Sequence, residues 1–341
     1  MIDPDALDGV LLPEQQVQVR GHSAAIAGVE QQLHSGRLPG AMLLHGPQGI
    51  GKATLAFQLA RTILTATGDE DGHRVSEQIA SGAHPNVRVL RRAPKDAKGF
   101  YTVIRVDEVR ELRARLQQTR GRQGQRIAIV DSIDDCNPSA ANALLKTLEE
   151  PPADTTFFLI SHRPGQLLPT IRSRCHSIAL RPIADGDVRD ILLAQRPELT
   201  MAELDRAIAL AGGRPRRAFE TLSLSEQSAL GALNAWLQEP TRTPAAVHLQ
   251  IADALGADTQ STELSFAREM ITDFLADEAR NAALSGARMR LASANELWDK
   301  AQGLFVEADS INLDMKQTLI AIFDAIRKHI QTTAPLSTEP L

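Results

Sequence analysis

The strongest constraint on the fold lies between residues 41 and 60. Ala41-Met42-Leu43-Leu44-His45 is a short apolar run of the kind buried on both faces of a parallel sheet. Gly46-Pro47-Gln48-Gly49-Ile50-Gly51-Lys52 follows without a gap, and then Leu55, Leu59 and Ile63 recur at helical spacing with Ala56 and Ala60. A strand that enters a helix through glycines and a lysine is a phosphate-binding loop. Its glycines let backbone N–H groups turn around an anion, the helix start adds positive potential, and Lys52 reaches outer phosphates. A chance Gly-rich turn would lack this context.

Two further strands are expected, at 126–130 and 156–160. Between them Asn137-Pro138 starts a helix with an Asn cap and a Pro in its first turn. Ala141, Leu144, Leu145 and Leu148 give that helix one apolar face, and Pro151-Pro152 stops it. Strands alternating with helices predict an α/β domain with a parallel sheet over residues 1–181. Residues 182–224 read as a small helical lid, opened by a capping box at Thr200 and Glu203 and interrupted at Gly212-Gly213. From 225 to 333 no strand is expected. Leu319, Ile322, Phe323, Ile326 and Ile330 repeat at threes and fours, as in a helical bundle, and 334–341 reads as a loose tail.

Composition removes several function classes. The chain of 341 residues is 43% hydrophobic and 23% charged, too apolar for disorder and long enough for more than one core. Its formal charge of -5 and 4% aromatics argue against a basic nucleic-acid coat or a row of base-stacking rings. The two cysteines, Cys136 and Cys175, form no Cys-x-x-Cys pair, so no disulfide framework is expected, and Cys175 reads as a small apolar residue. Asp3, Asp5 and Asp8 stand where a signal peptide would carry positive charge, and no apolar stretch suits a membrane span. The expectation is a cytoplasmic protein without a membrane partner.

The phosphate site departs from a working ATPase at two places. Ala53 follows Lys52 where a Ser or Thr hydroxyl would ligate Mg²⁺. Thr54 is one helical step further, about 100° around the axis. The apolar strand ending in Asp131 has the form of a Walker B strand, but Ser132 stands where a Glu would polarise the attacking water. Asp134 and Asp135 read as solvated or capping residues. Impaired Mg²⁺ binding and weak hydrolysis are expected, with nucleotide binding left open.

Together with Lys52 and Asp131, the runs Asn142-Ala143-Leu144-Leu145-Lys146-Thr147-Leu148-Glu149-Glu150-Pro151-Pro152 and Thr170-Ile171-Arg172-Ser173-Arg174-Cys175 resemble the clamp-loader branch of the AAA+ ATPases. The resemblance is detailed from about residue 21 to 181. In the last third it rests on helical character and the Asn312-Leu313-Asp314 helix start. It implies a three-part architecture: a P-loop AAA+ domain, a helical lid and an all-α collar. It also implies that Arg174 is an arginine finger acting in trans on a neighbour's ATP, since a guanidinium is always charged and can neutralise a transferring phosphoryl group. Ser161 matches the sensor-1 position. Arg216 matches sensor-2, with Arg214 and Arg217 as competitors for the role. The nucleotide-binding set implied is Gly46, Gly49, Gly51, Lys52, Thr54, Asp131, Ser161 and Arg216. Implied partners are other clamp-loader subunits (delta and gamma/tau), the sliding clamp indirectly, and primed DNA through the complex. Any polymerase activity belongs to a different chain of that assembly.

Many relatives of this branch carry a four-cysteine zinc module before the Walker B strand. Residues 68–82 have none of its ligands, so no zinc is expected, and the segment reads as a loop containing His73, with His84 just beyond it. Competing readings are a self-sufficient P-loop ATPase or nucleotide kinase, and another AAA+ DNA-remodelling protein. The first needs a competent metal site. The second needs either a motor's hydroxyl and Glu or a helix-turn-helix domain.

Overall fold

In the computed structural model the described residues are 3–68, 71–95, 99–118, 122–224, 228–259, 261–311 and 313–333. They fall into two compact units, Met1–Leu222 and Ser223–Leu341.

The first unit runs α1 (Ser23–His34), β1 (Ala41–His45), α2 (Lys52–Thr67), α3 (Gly72–Ala80), β2 (Val87–Leu90), α4 (Val106–Gln117) and β3 (Arg126–Asp131). It continues with α5 (Pro138–Glu149), β4 (Thr155–Ser161), the single turn α6 (Pro169–Arg172) and β5 (His176–Ala179). Three helices close it: α7 (Asp185–Gln195), α8 (Met201–Ala211) and α9 (Pro215–Leu222). The sheet order is β2-β3-β4-β1-β5, and every pairing is parallel. All five strands therefore end on the same edge.

Strand side chains alternate between the two faces of the sheet, which divides the core. Met42, Leu44, Ile127, Ile129, Phe158 and Ile160 pack on one face with Leu55, Leu59 and Ile63 of α2. Leu43, Ala128, Val130, Phe157 and Leu159 pack on the other with Val109 and Leu112 of α4 and Leu144 and Leu148 of α5. Each large apolar side chain removed from water in this way contributes about 1.5–3 kcal/mol. The α5 start is capped by Asn137, whose side chain accepts from Ala140 N at 2.8 Å. Thr200 and Glu203 form the expected capping box of α8, and left-handed Gly212 ends that helix. A separate small core of Ile183, Val188, Leu192, Leu204, Ala207 and Phe219 holds α7, α8 and α9 together.

Three local features differ from the sequence reading. Residues 72–80 are helical, not a loop: Asp71 caps α3 by accepting from His73 N and Arg74 N, and Val75 and Ile79 reach the core. His84 is a loop residue, as read, but it is buried, which the sequence did not show, and its Nδ1 accepts from Asn86 N. The edge strands β2 and β5 were not anticipated, being four residues each.

The second unit contains α10 (Ala229–Gln238), α11 (Ala245–Gly256), α12 (Thr262–Leu284), α13 (Arg288–Ile311) and α14 (Met315–Thr333), with no strand among its described residues. Leu319, Ile322, Phe323 and Ile326 of α14 are fully buried, and the Trp236 ring of α10 meets the Phe323 ring at 4.8 Å. Asp314 caps α14 by accepting from Lys316 N at 2.9 Å and Gln317 N at 3.3 Å. Asn312 and the tail from 334 lie outside the described residues. No helix among the described residues is long and apolar enough to cross a membrane.

Candidate functional site: a phosphate loop with a resident guanidinium

Because the strands run parallel, the residues that end them meet at one edge, where ligands bind in open α/β sheets. β1 leads into the glycine loop, β2 into Arg91, β3 ends in Asp131, β4 in Ser161, and β5 leads into Leu180. Of these, the glycine loop and Asp131 line a cavity of about 200 Å³, together with Lys52, Thr54, Arg216 and the N-terminal Asp3 and Asp5.

The loop has the backbone that its glycines permit. Gly46, Gly49 and Gly51 have φ of 151°, 81° and 93°. A Cβ on Gly46 would lie 2.3 Å from Leu180 O, so β1 and the segment after β5 can approach closely only there with glycine. Lys52 is buried. Its Nζ donates to Gly46 O at 2.8 Å and Pro47 O at 2.5 Å, within its own loop. Burial, aided by the charge of Arg214, holds the ammonium down to about 7, while Asp131 and Asp134 oppose the shift. A phosphate would be a better counter-charge for this ammonium than loop carbonyls. The loop fits one.

Asp131 lines the cavity with one of its oxygens engaged. Arg91 Nε donates to its Oδ2 at 3.2 Å. The same guanidinium gives Nη1 and Nη2 to the two carboxylate oxygens of Glu14, at 3.2 and 3.1 Å, and lies 3.4 Å from Asp3. Glu14 has no exposure, the Arg91 side chain retains 5%, and the guanidinium also lies over the Phe57 ring at 5.7 Å. Burial pushes Asp131 up to about 6 against the pull of Arg91, with Asp3 adding to the rise. The N-terminal segment is tied down further by Arg61, which donates to Glu14 O and to Gln16 O. Arg92 pairs with Asp5 at 2.8 Å and Asp135 at 3.2 Å.

Ser161 is fully buried, and its hydroxyl donates to Asp134 Oδ1 at 2.8 Å, while His162 N donates to the other Asp134 oxygen. This corrects the sequence reading of Asp134, which is not a solvated turn residue but the acceptor that orients the end of β4. Asp135 keeps a surface-type role, paired with Arg92. Thr54 lines the cavity despite its helical offset from Lys52. Of the three candidate sensor-2 arginines, Arg216 is the one that lines the cavity. Its N donates to Gly49 O at 3.2 Å, its Nη1 donates to Asp5 O, and its Nε pairs with Glu220 at 2.8 Å. Arg214 and Arg217 are buried.

Arg174 lies apart from this cluster, just before β5 starts, whereas the glycine loop meets the segment after β5 ends. Its side chain is 36% exposed, pairs with exposed Glu149 at 2.7 Å, and donates to Thr170 O at 3.1 Å. Burial pushes the Cys136 thiol up to about 12 and the Cys175 thiol up to about 11, so neither is a ready thiolate.

Mg²⁺ is the metal that P-loop chemistry implies, and the donor set does not fit it. Ala53 offers no side-chain oxygen and Asp131 is bonded to a guanidinium. Among the described residues no group of three or more His, Cys, Asp or Glu is placed to hold a metal ion.

Arg91, Glu14, Asp3 and Asp134 are the residues of this site that sequence reasoning missed. No local signal marked Arg91, because the four-residue strand it follows is not legible in the sequence. None marked Glu14.

The parallel sheet, the glycine loop between β1 and α2, the strand ending in Asp131 and the three helices after β5 make an α/β domain of the P-loop fold class, followed in the chain by an all-α unit. Residues 21–184 match the family described as DNA polymerase III, delta subunit. The particular protein that this stretch is similar to is the delta-prime subunit. That of Pseudomonas aeruginosa is 38% identical over 179 residues, covering 51% of this chain and 53% of the relative. That of Escherichia coli is 33% identical over 187 residues, covering 53% and 54%. The DNA polymerase III subunit gamma/tau of Mycobacterium tuberculosis is 33% identical over 229 residues, 64% of this chain and 38% of the relative. The chain thus spans about half the length of the delta-prime relatives it matches.

Proposed function

We propose that this chain is a clamp-loader subunit of the delta-prime type, an AAA+ stator that lends Arg174 to the ATP site of a neighbouring subunit while hydrolysing little itself. In that role it works with delta and gamma/tau subunits to open a sliding clamp and close it on primed DNA. The observation that carries the reading is the separation of the two functional ends of the first unit. Arg174 is exposed before β5, held by one exposed carboxylate and one backbone carbonyl, whereas the chain's own phosphate loop is gathered after the strand ends with a guanidinium on its Walker B carboxylate. A fork exposed and lightly held is available to a partner's phosphates, where such a finger contributes on the order of 10³-fold or more in rate. The chain's own site lacks the hydroxyl and the Glu that hydrolysis needs, which supports a structural rather than a motor role.

The test is reconstitution of the chain with its partner subunits, clamp and primed DNA. Arg174→Ala is expected to lower ATP turnover of the assembly by at least about tenfold, a conservative fraction of what an arginine finger contributes, while assembly on a sizing column is retained. Unchanged turnover in an intact assembly, or vigorous turnover by the isolated chain, would refute the proposal.

A further inference from the structure

We propose that the guanidinium of Arg91 occupies, at Asp131, the place a divalent cation takes in a hydrolysing P-loop, so that this chain's loop binds a nucleoside phosphate without magnesium. The inference concerns the chain's own cavity and does not depend on Arg174 acting on a neighbour.

The placement follows from the sheet. Leu90 of β2 is in register with Val130 of β3, so the next residues, Arg91 and Asp131, come out side by side on the ligand edge. The guanidinium is then fixed from behind: two of its nitrogens are spent on Glu14, which has no exposure, and Asp3 sits beside them, leaving Nε for Asp131. Arginine does not lose its proton in proteins, so this charge is permanent wherever the chain is folded. A magnesium ion at the other oxygen of Asp131 would face this fixed positive charge across one carboxylate, and the guanidinium cannot withdraw without leaving Glu14 buried and unpaired. Magnesium would also lack the hydroxyl that a hydrolysing loop supplies next to its lysine, because Ala53 follows Lys52. It is normally held by one or two carboxylates together with the phosphates and requires near-ideal octahedral geometry. The phosphate charge is left to Lys52 and Arg216, which both line the cavity.

The probe is a fluorescent ADP titrated into the full chain, once with excess Mg²⁺ and once with EDTA. The two dissociation constants are expected to agree within about twofold, against the tenfold or greater weakening in EDTA that a metal-bridged nucleotide would show. A tenfold loss in EDTA overturns the proposal, and so does failure to bind under both conditions. Ala53→Ser restores the missing hydroxyl and is expected to leave the ratio unchanged, because the fixed guanidinium still faces Asp131. If Ala53→Ser alone makes binding Mg²⁺-dependent, Arg91 is not the barrier and the proposal fails. In the double variant Ala53→Ser, Arg91→Lys a single ammonium cannot serve Glu14 twice and Asp131 as well, and Mg²⁺ is expected to strengthen binding. Should that variant fail to fold, the wild-type and Ala53→Ser titrations decide the matter.

Discussion

Replacing Glu14 with Ala removes both oxygens that hold the Arg91 fork, at 3.2 and 3.1 Å, from a position with no exposure. Breaking a buried pair from one side costs about 3–5 kcal/mol, since the surviving charge is left without a partner. Here Asp131 at 3.2 Å and Asp3 at 3.4 Å remain near the guanidinium, so the lower end, about 3 kcal/mol, is expected. Glu14→Gln keeps the shape and one acceptor, and should cost about half as much. The Arg61 anchor is a built-in control, because it bonds the Glu14 carbonyl, which Ala retains. With Arg91→Met as the second arm of a double-mutant cycle, the double variant should cost clearly less than the sum. A coupling of about 2 kcal/mol is within the range for neighbours in one network. Urea unfolding is best followed by far-UV circular dichroism, because Trp236 and Trp298 both belong to the second unit and their fluorescence reports that unit. A cost below about 1 kcal/mol for Glu14→Ala, or additivity within about 0.5 kcal/mol, would show that the network does not anchor the N-terminal segment.

Gly46→Ala and Gly51→Ala form a matched pair. Both impose a positive φ on a side-chain-bearing residue, about 1–3 kcal/mol each, but a Cβ at 46 also meets Leu180 O at 2.3 Å whereas one at 51 meets nothing within 4 Å. Gly46→Ala should therefore be the more destabilising by at least about 1 kcal/mol in urea unfolding, and equal costs would contradict the close approach of β1 and β5. Lys52 gives a pH dependence: its ammonium is held down to about 7 from 10.5, so between those values the unfolded chain binds more protons and stability from this group rises with pH. Phosphate binding works in the opposite direction. Above pH 7 it should draw a proton onto Lys52, visible as a calorimetric enthalpy that changes with the ionisation enthalpy of the buffer. A buffer-independent enthalpy would refute that linkage.

The central strands were legible because they are buried on both faces and read as unbroken apolar runs. β2, Val87-Arg88-Val89-Leu90, alternates over only four residues, and β5, His176-Ser177-Ile178-Ala179, lies at the sheet edge with one partner strand and few apolar side chains. Neither length nor periodicity separates such edges from loops. The helix over 72–80 was hidden because its apolar face has only Val75 and Ile79, and its Asp71 cap stands beside Gly72. Within the site, the glycine loop and Asp131 could be read locally, since each is fixed by its place at a strand end. Arg91 and Glu14 could not, because their pairing spans 77 residues and no local periodicity encodes it. Asp134 was misread because its partner Ser161 lies 27 residues on, on a neighbouring strand.

The position of Arg174 ahead of β5 has a consequence for assembly. The four residues of β5 rise about 3.3 Å each, so roughly 13 Å of extended backbone runs between the turn that carries Arg174 and the segment that meets the chain's own glycine turn. If the fork serves a neighbour as proposed, donor and acceptor sit at different ends of that strand within a single domain, and contacts built on them would join unlike surfaces, head to tail. Associations of that kind have no two-fold partner in which to terminate. They continue as a ring or an open helical turn until a member with one silent pole ends the series, and a copy whose pocket already holds its own positive charge is suited to stand there.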